Sequence, residues 1–428
     1  VHFNPTTKKK TKLLSRNTTK NNTKKRNQKM KLSSTKTYWP LKNAMKQSYP
    51  SIDSDTDTDI LIIGGGITGA LMAYKLINEG KKIVLIDRRD VCGGSTSGST
   101  ALLQYEIDVP LHQLIKMRGV KCAVESYQNG KKAIFDLRHI IDTVGSNCDF
   151  EFKKSIYFTT LKKDVPFLKN EYKVRKQHGF EISWLNRSDL QKMGLKAIAA
   201  IESKTAAVMD PFKLASDLLF HCHEKGMQIF DRTNVSSIQH QKGKIIAVTD
   251  SKHTITASHI IHCTGYESTE TLTEKVVDLK STYVIASESQ PDLPESFKHA
   301  IFWDTASPYH YIRSTEDNRI IMGGGDEDFK DAAKRDKLLP KKEQYLLKHF
   351  FKRFPDLDFK LDYSWAGTFG ETKDGLPYFG KPNPRKNEHY VLGFGGNGIT
   401  FSVIGMNSIL DSLRNKKNTD LEYYRFGR

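Results

Sequence analysis

The run Asp59-Ile-Leu-Ile-Ile-Gly64-Gly-Gly66-Ile67-Thr68-Gly69-Ala70 constrains the fold of this chain more than any other stretch. Apolar β-formers lead straight into Gly-x-Gly-x-x-Gly, and a helix-period segment continues from Ala70 to Asn78. In a strand–turn–helix of this kind each glycine has its own task. Gly64 turns the chain tightly off the strand, Gly66 lets a pyrophosphate approach the backbone, and Gly69 lets the helix pack close to the strand. The helix start then presents free N–H groups and the positive end of its dipole to phosphate. Glycine-rich turns are common, so the motif needs its context. Here a second strand, Lys82 to Ile86, ends at Asp87, where a carboxylate is needed to bind a ribose hydroxyl. The context selects a dinucleotide site over an ordinary α/β turn.

Two further segments share this chemistry. Directly after Asp87-Arg88-Arg89 comes Gly93-Gly-Ser-Thr-Ser-Gly-Ser-Thr100, dense in glycine and hydroxyls. Such a loop donates from its backbone to a second phosphate or a flat ring, whereas a flexible linker rarely follows a ribose acid directly. Near the other end, Gly393-Phe-Gly-Gly396-Asn397-Gly398-Ile399-Thr400 opens a last helix reaching about Leu413. Two glycine cradles so far apart suggest one ligand clasped from both sides. Between them the pattern reads as helix over 110–145, then strand, helix and strand over 150–200. A helix capped by Asp210 with Pro211 at its first position follows. Next come short strands at Gln228–Phe230, Val235–His240, Lys244–Thr249 and His253–Ala257, read as an antiparallel meander, and an apolar strand His259–Cys263 ending at Thr264-Gly265. Further strands lie over 280–325, including Tyr309-His-Tyr-Ile-Arg313, and a basic amphipathic helix over 341–354.

Composition bounds the rest. The 428 residues suffice for two or three domain-sized units. No apolar run has the length of a membrane span. Five scattered cysteines, with no Cys-x-x-Cys, point to a reducing, cytoplasmic setting without a disulfide frame or structural zinc. The net charge of +18 is concentrated: residues 1–50 hold 14 Lys and Arg and no acid, leaving the remainder at +4. The body is therefore not expected to bind nucleic acid. Residues 1–36 read as a disordered basic tail. A solvated tail is favoured over a transit peptide, which would be Arg-rich and amphipathic, and over a nucleic-acid arm, which would carry stacking aromatics. Met30 is a candidate true start, which N-terminal sequencing from the native host would check. Tyr38-Trp39-Pro40 is expected to tether the tail to the body.

Taken with Cys263-Thr-Gly265, Trp365-Ala-Gly367 and Asp374-Gly-Leu-Pro-Tyr-Phe-Gly380, the order of motifs over about residues 55–413 resembles the FAD-dependent D-amino acid oxidase family, which includes glycine oxidase, sarcosine oxidase and D-amino acid dehydrogenase. The resemblance implies an α/β fold: a Rossmann-like FAD-binding domain of glutathione-reductase type from 55–110, 205–270 and 363–413, and a substrate domain on a mixed, largely antiparallel sheet from 150–200 and 275–360. It implies FAD held non-covalently. Gly64, Gly66, Ile67, Thr68 and Gly69 would hold the pyrophosphate, and Asp87, with Arg88 beside it, the ribose. Ser95, Thr96, Ser99 and Thr100 would line the flavin's phosphate and ribityl side. Val235 would meet the adenine, and Thr264 and Gly265 would close over the cofactor. Gly367, Gly396, Asn397, Gly398, Ile399 and Thr400 would lie along the isoalloxazine. The implied reaction is oxidation of a C–N bond of an amine or amino acid by hydride transfer to flavin, with oxygen or a quinone as acceptor.

Three positions depart from the family pattern. Gly367 stands where some relatives bind flavin through Cys. Phe369 stands where amino-acid-oxidising relatives often carry an Arg for the substrate carboxylate, and a neutral ring cannot replace it unless Arg313 does. Ile321 falls near a Lys that in some oxidases promotes reaction with oxygen. Strand alternation puts Tyr309, Tyr311 and Arg313 on one face, the candidate substrate side, against a reading as ordinary strand residues. His221-Cys222-His223 reads as structure rather than a metal site, since adjacent helix residues point apart, and Cys92 as a small buried residue. Competing functions are FAD-dependent oxidation of a 2-hydroxy acid or other C–OH group, an NAD(P)-dependent dehydrogenase using only the first glycine motif, and a non-enzymatic or RNA-associated flavoprotein.

Overall fold

Two sheets divide the chain. In the computed structural model, which describes residues 31–428 apart from 35, 45–46, 242 and 393–394, Leu32–Arg428 forms one compact unit. The first sheet runs Tyr378–Gly380, Glu388–Leu392, Thr254–His262, Thr56–Ile63, Ile83–Ile86, Gln228–Phe230. Its four central strands are parallel. Ile60, Leu61 and Ile62 are wholly buried, as a parallel strand covered on both faces requires. The helices Ile67–Ile77, Pro211–Glu224 and Gly398–Leu413 share one apolar core with it.

The second sheet runs Leu361–Glu371, Asp278–Ser287, Ile320–Asp328, Tyr311–Ser314, Ala300–Asp304, Glu151–Thr159, Ala199–Val208, Leu102–Gln104, with Ile182–Asn186 paired to Ala199–Val208. Every pairing is antiparallel except that of Ala300–Asp304 with Glu151–Thr159, so the sheet is mixed and largely antiparallel. The helix Leu339–Arg353 lays Leu346 and Phe350 onto it.

Several expectations are refined. The segment 110–145 is two helices, Leu111–Arg118 and Val120–Val144, broken where Gly119 takes a positive φ of 79°. His253–Ala257 and His259–Cys263 are one strand, Thr254–His262: its first half takes the Lys244–Thr249 hairpin and its second half pairs with Glu388–Leu392. Gln228–Phe230 lies outside that hairpin and extends the parallel sheet beside Ile83–Ile86. Asp210 does cap its helix, accepting from Phe212 and Lys213 N–H.

The tail is shorter than expected. Ser33 bridges to Gly367, Thr368 N–H donates to Leu32 O at 2.7 Å, and Ser34 N–H donates to Ala366 O at 2.9 Å. Residues 32–34 thus act as an extra edge strand, which no sequence pattern announced because backbone pairing needs no side-chain signature. Trp39 then anchors the short helix Tyr38–Asn43, its ring buried and its Nε1–H donating to Ser99 O at 2.6 Å. Met30 and the tail residues before it lie outside the described residues.

Candidate functional site

One elongated cavity, about 1600 Å³ with its open mouth counted, runs between the two sheets. The first glycine turn forms one wall. Gly64 sits at φ 108°, and a Cβ there would lie 2.4 Å from Cys263 O. A Cβ on Gly69 would lie 1.9 Å from Gly64 O, so this residue sets how close helix and strand approach. Asp87 closes the turn from the next strand. Its Oδ2 accepts from Gly65 N–H at 2.8 Å and its Oδ1 from Arg89 N–H at 2.8 Å. Burial outweighs these bonds and raises its carboxyl to about 6.

The hydroxyl-rich loop folds onto this wall as a short 3₁₀ turn, Ser95–Gly98. Thr96 Oγ1 accepts from Ile67 N–H at 2.9 Å, while Ser95 Oγ is buried with no hydrogen-bond partner. The last glycine cluster closes the far side. Thr68 and Ser402 hydroxyls lie 2.8 Å apart, tying the first and last glycine-started helices together. Asn397 Nδ2 donates to Gln104 O at 3.0 Å and Glu106 O at 2.8 Å, and Thr400 Oγ1 caps back onto Asn397 O.

Most of the predicted residues meet here. Gly64, Gly66, Ile67, Thr68, Asp87, Ser95, Thr96, Ser99, Thr100, Thr264, Gly265, Gly367, Gly396, Asn397, Gly398, Ile399 and Thr400 all line the cavity, and so do Tyr309, Tyr311 and Phe369. Four do not. Gly69 packs behind the turn. Arg88 turns to Glu267, and it is Arg89 that lines the cavity, also paired to Glu267. Val235 opens its strand against an apolar cluster of the first sheet.

Arg313 is the substantive correction. Only Tyr311–Ser314 is strand; Tyr309 precedes it yet lines the cavity with Tyr311, whereas Arg313, although it alternates with Tyr311 within the strand, does not. Arg313 is 2 % exposed and donates to the carbonyls of Thr100, Ala101, Met209 and Ser314. It braces the hydroxyl loop from behind and cannot replace the Arg absent at Phe369. Ile321 likewise packs with Tyr38, Trp39 and Trp365, away from the cavity.

The wall that the second sheet contributes holds residues that the sequence did not mark. Tyr311 Oη and Thr282 Oγ1 lie 3.0 Å apart, and Tyr309 Oη donates to Asp108 at 3.0 Å. Thr282 and Asp326 line the cavity from neighbouring strands, brought together by register alone. No local signal could have found them. Arg89 could have been found, as the second of two arginines after the ribose acid.

These residues fit FAD. The unpartnered Ser95 hydroxyl, the N–H groups of two helix starts and a long cavity reaching from Asp87 to an aromatic wall suit a dinucleotide carrying a flavin. At Gly367 there is no side chain to bond it covalently. Cys263, which also lines the cavity, is held as a neutral thiol because burial pushes its pKa well up.

Comparison with known proteins agrees. The profile of the FAD-dependent oxidoreductase family (DAO) matches residues 59–406. The chain is 24% identical over 388 residues to a protein named as a Rieske 2Fe-2S iron-sulfur protein of Bacillus subtilis (strain 168), spanning 89% of this chain and 73% of that one. It is 22% identical over 389 residues to gamma-glutamylputrescine oxidoreductase of Escherichia coli (strain K12), spanning 86% of each. The fold superposes on glycine oxidase from Geobacillus kaustophilus with a TM-score of 0.75 at 18% identity, covering 87% of this chain and 99% of that one. With its glycine turns, its cavity and its motif order all in agreement, the chain belongs to the DAO family of FAD-dependent oxidoreductases.

Proposed function

We propose that this enzyme oxidises the C–N bond of a small amine or amino acid, with hydride passing to FAD and oxygen or a quinone taking up the electrons afterwards. The observation that carries this reading is the cavity's far wall: Tyr309, Tyr311, Thr282 and Phe369 line it, with no group of metal-ligating side chains among the described residues. Bound FAD would supply the hydride acceptor, which leaves the protein to position the carbon and exclude water. Tyr309 and Tyr311 are suited to that task, being half-buried phenols held by Asp108 and Thr282. Burial raises both phenols well above their ordinary range, so they act as neutral donors. The related gamma-glutamylputrescine oxidoreductase and glycine oxidase, whose names specify amine and amino-acid substrates, support the same bond type.

The helix start at Gly398 faces the region where the isoalloxazine would lie, and its N–H groups suit negative charge developing there. A division into an FAD-binding part (55–110, 205–270 and 363–413) and a substrate part (150–200 and 275–360) stays part of this proposal, although Leu102–Gln104 and Leu361–Glu371 pair within the second sheet. All five cysteines are free and buried, in keeping with a cytoplasmic setting, and no helix among the described residues is long and apolar enough to cross a membrane. Anaerobic flavin bleaching against a panel of amines, D- and L-amino acids and 2-hydroxy acids tests the reading. Amines or amino acids should bleach the flavin; bleaching by hydroxy acids alone would replace this reading with C–OH oxidation.

A further inference from the structure

The substrate end of the cavity carries a carboxylate and no cation. Arg89 is the one basic side chain among the lining residues, and it stands at the other end, beside Asp87 and paired to Glu267. At the substrate end Thr282, Tyr309, Tyr311 and Phe369 are neutral, and Asp326 is the acid. Asp326 is half-buried, and its Oδ1 is closed off from solvent without a hydrogen-bond partner.

Its placement comes from a fault in the strand register. Ser281 pairs with Glu327, and Tyr283 pairs with Gly324, so Thr282 alone faces two residues, Gly325 and Asp326. A bulge of this kind re-aims a side chain, and bulges gather next to active sites. Gly324 at φ 138° and Gly325 at φ 68° supply the backbone conformations that it needs. Lys342, whose charge reaches Asp326, spends its ammonium on Gly325 O and on Glu327 at 2.8 Å. It does not line the cavity.

We propose that Asp326 is the cation-recognition residue of the substrate end, and that the substrate is an alkyl or arylalkyl amine with no carboxylate beside its amine. This rests on the C–N reading above and narrows it. An α-amino acid would bring its carboxylate into a poorly hydrated wall that offers Phe369 in place of a cation and Asp326 as a like charge. An ammonium would instead gain a charge-assisted partner in the Asp326 carboxylate, which lines the cavity. Tyr309, Tyr311 and Phe369 provide the apolar and cation–π surface for its carbon chain.

The test needs no turnover. FAD-loaded full-length protein is titrated with benzyltrimethylammonium, which cannot be oxidised at a protonated or free amine, and with phenylacetate, while shifts of the visible flavin band are followed. The cation is expected to bind about tenfold or more tighter than the anion, and Asp326→Asn to weaken the cation by a similar factor while sparing phenylacetate. Phenylacetate binding as tightly as the cation in the unsubstituted protein would overturn the proposal, as would a cation affinity unchanged in Asp326→Asn. Should that variant lose FAD or fail to fold, the comparison of the two probes in the unsubstituted protein decides alone. Failure of the C–N reading is seen separately, as flavin bleached by hydroxy acids and by no amine.

Discussion

Tyr309 Oη donates to Asp108 Oδ1 at 3.0 Å, and the second oxygen of that carboxylate accepts from Gly396 N–H at 2.8 Å. One carboxylate therefore locks the last glycine turn to the Tyr309 wall of the cavity. Burial raises the Asp108 carboxyl, opposed by these two donors. An amide in its place would turn an N–H₂ towards one of them. Asp108→Asn should cost about 1–3 kcal/mol and weaken FAD retention, read by thermal melting and by FAD titration of the apoprotein. Tyr309→Phe should lower the rate of flavin bleaching more than it lowers FAD affinity.

The glycine turn offers an internally controlled pair. Gly69→Ala places a methyl group on Gly64 O, and the helix must move to admit it. A loss of about 1–3 kcal/mol is expected, with FAD released on gel filtration. Gly94→Ala, in the neighbouring loop, meets no protein atom within 4 Å of its new Cβ and should keep the stability of the apoprotein.

Arg313 and Phe369 make opposite predictions about substrate. Burial lowers the Arg313 guanidinium to about 10, yet it stays charged at neutral pH among carbonyls. Arg313→Met leaves those carbonyls unpaired and should destabilise the fold by about 3 kcal/mol or more. Its Michaelis constants for amines should change little. Arg313→Lys, which keeps a donor, should recover part of the stability. Phe369→Arg should instead raise the affinity for carboxylate-bearing ligands such as phenylacetate.

The Asp326 carboxyl is raised to about 7. Burial is the main cause, with the Glu371 and Asp108 charges adding to it and the Thr282 hydroxyl and Lys342 opposing it. Cation binding needs the charged form, so affinity for benzyltrimethylammonium should climb as pH rises from about 6 to 8 and flatten above that range. The folded pKa lies above the ordinary 3.8, so ionising this group costs stability as pH rises. Asp326→Asn should remove both pH dependences.

Glu171 shows the opposite sign. It is fully buried against Arg175 and His112, and although burial opposes it, Arg175 and then His112 hold its carboxyl down at about 2. Its stabilisation is present in full above the ordinary 4.5 and is lost as pH falls towards about 2. The amount at stake is on the order of 3 kcal/mol. Urea midpoints from pH 5 to 2 should fall less steeply in Glu171→Gln, from a lower starting stability.

The sequence alone determined the cofactor half of this protein. Strand, glycine turn, helix and ribose acid are local features, and each is fixed by backbone conformation and phosphate chemistry within some thirty residues. That is why Gly64, Asp87, Thr96 and Gly398 could be named in advance and all meet in one cavity. Tertiary structure decided the wall that the second sheet contributes. Arg313 reads like a ligand in a strand pattern, but its guanidinium is spent on the carbonyls of Thr100 and Ala101 in the hydroxyl loop. Thr282 and Asp326 are separated in sequence and face each other only through a bulged antiparallel register. Residues 32–34 join the sheet through backbone bonds that leave no trace in side-chain pattern. Local chemistry is written residue by residue; which side chains share a wall depends on strand register, and register is settled only when the sheets pack.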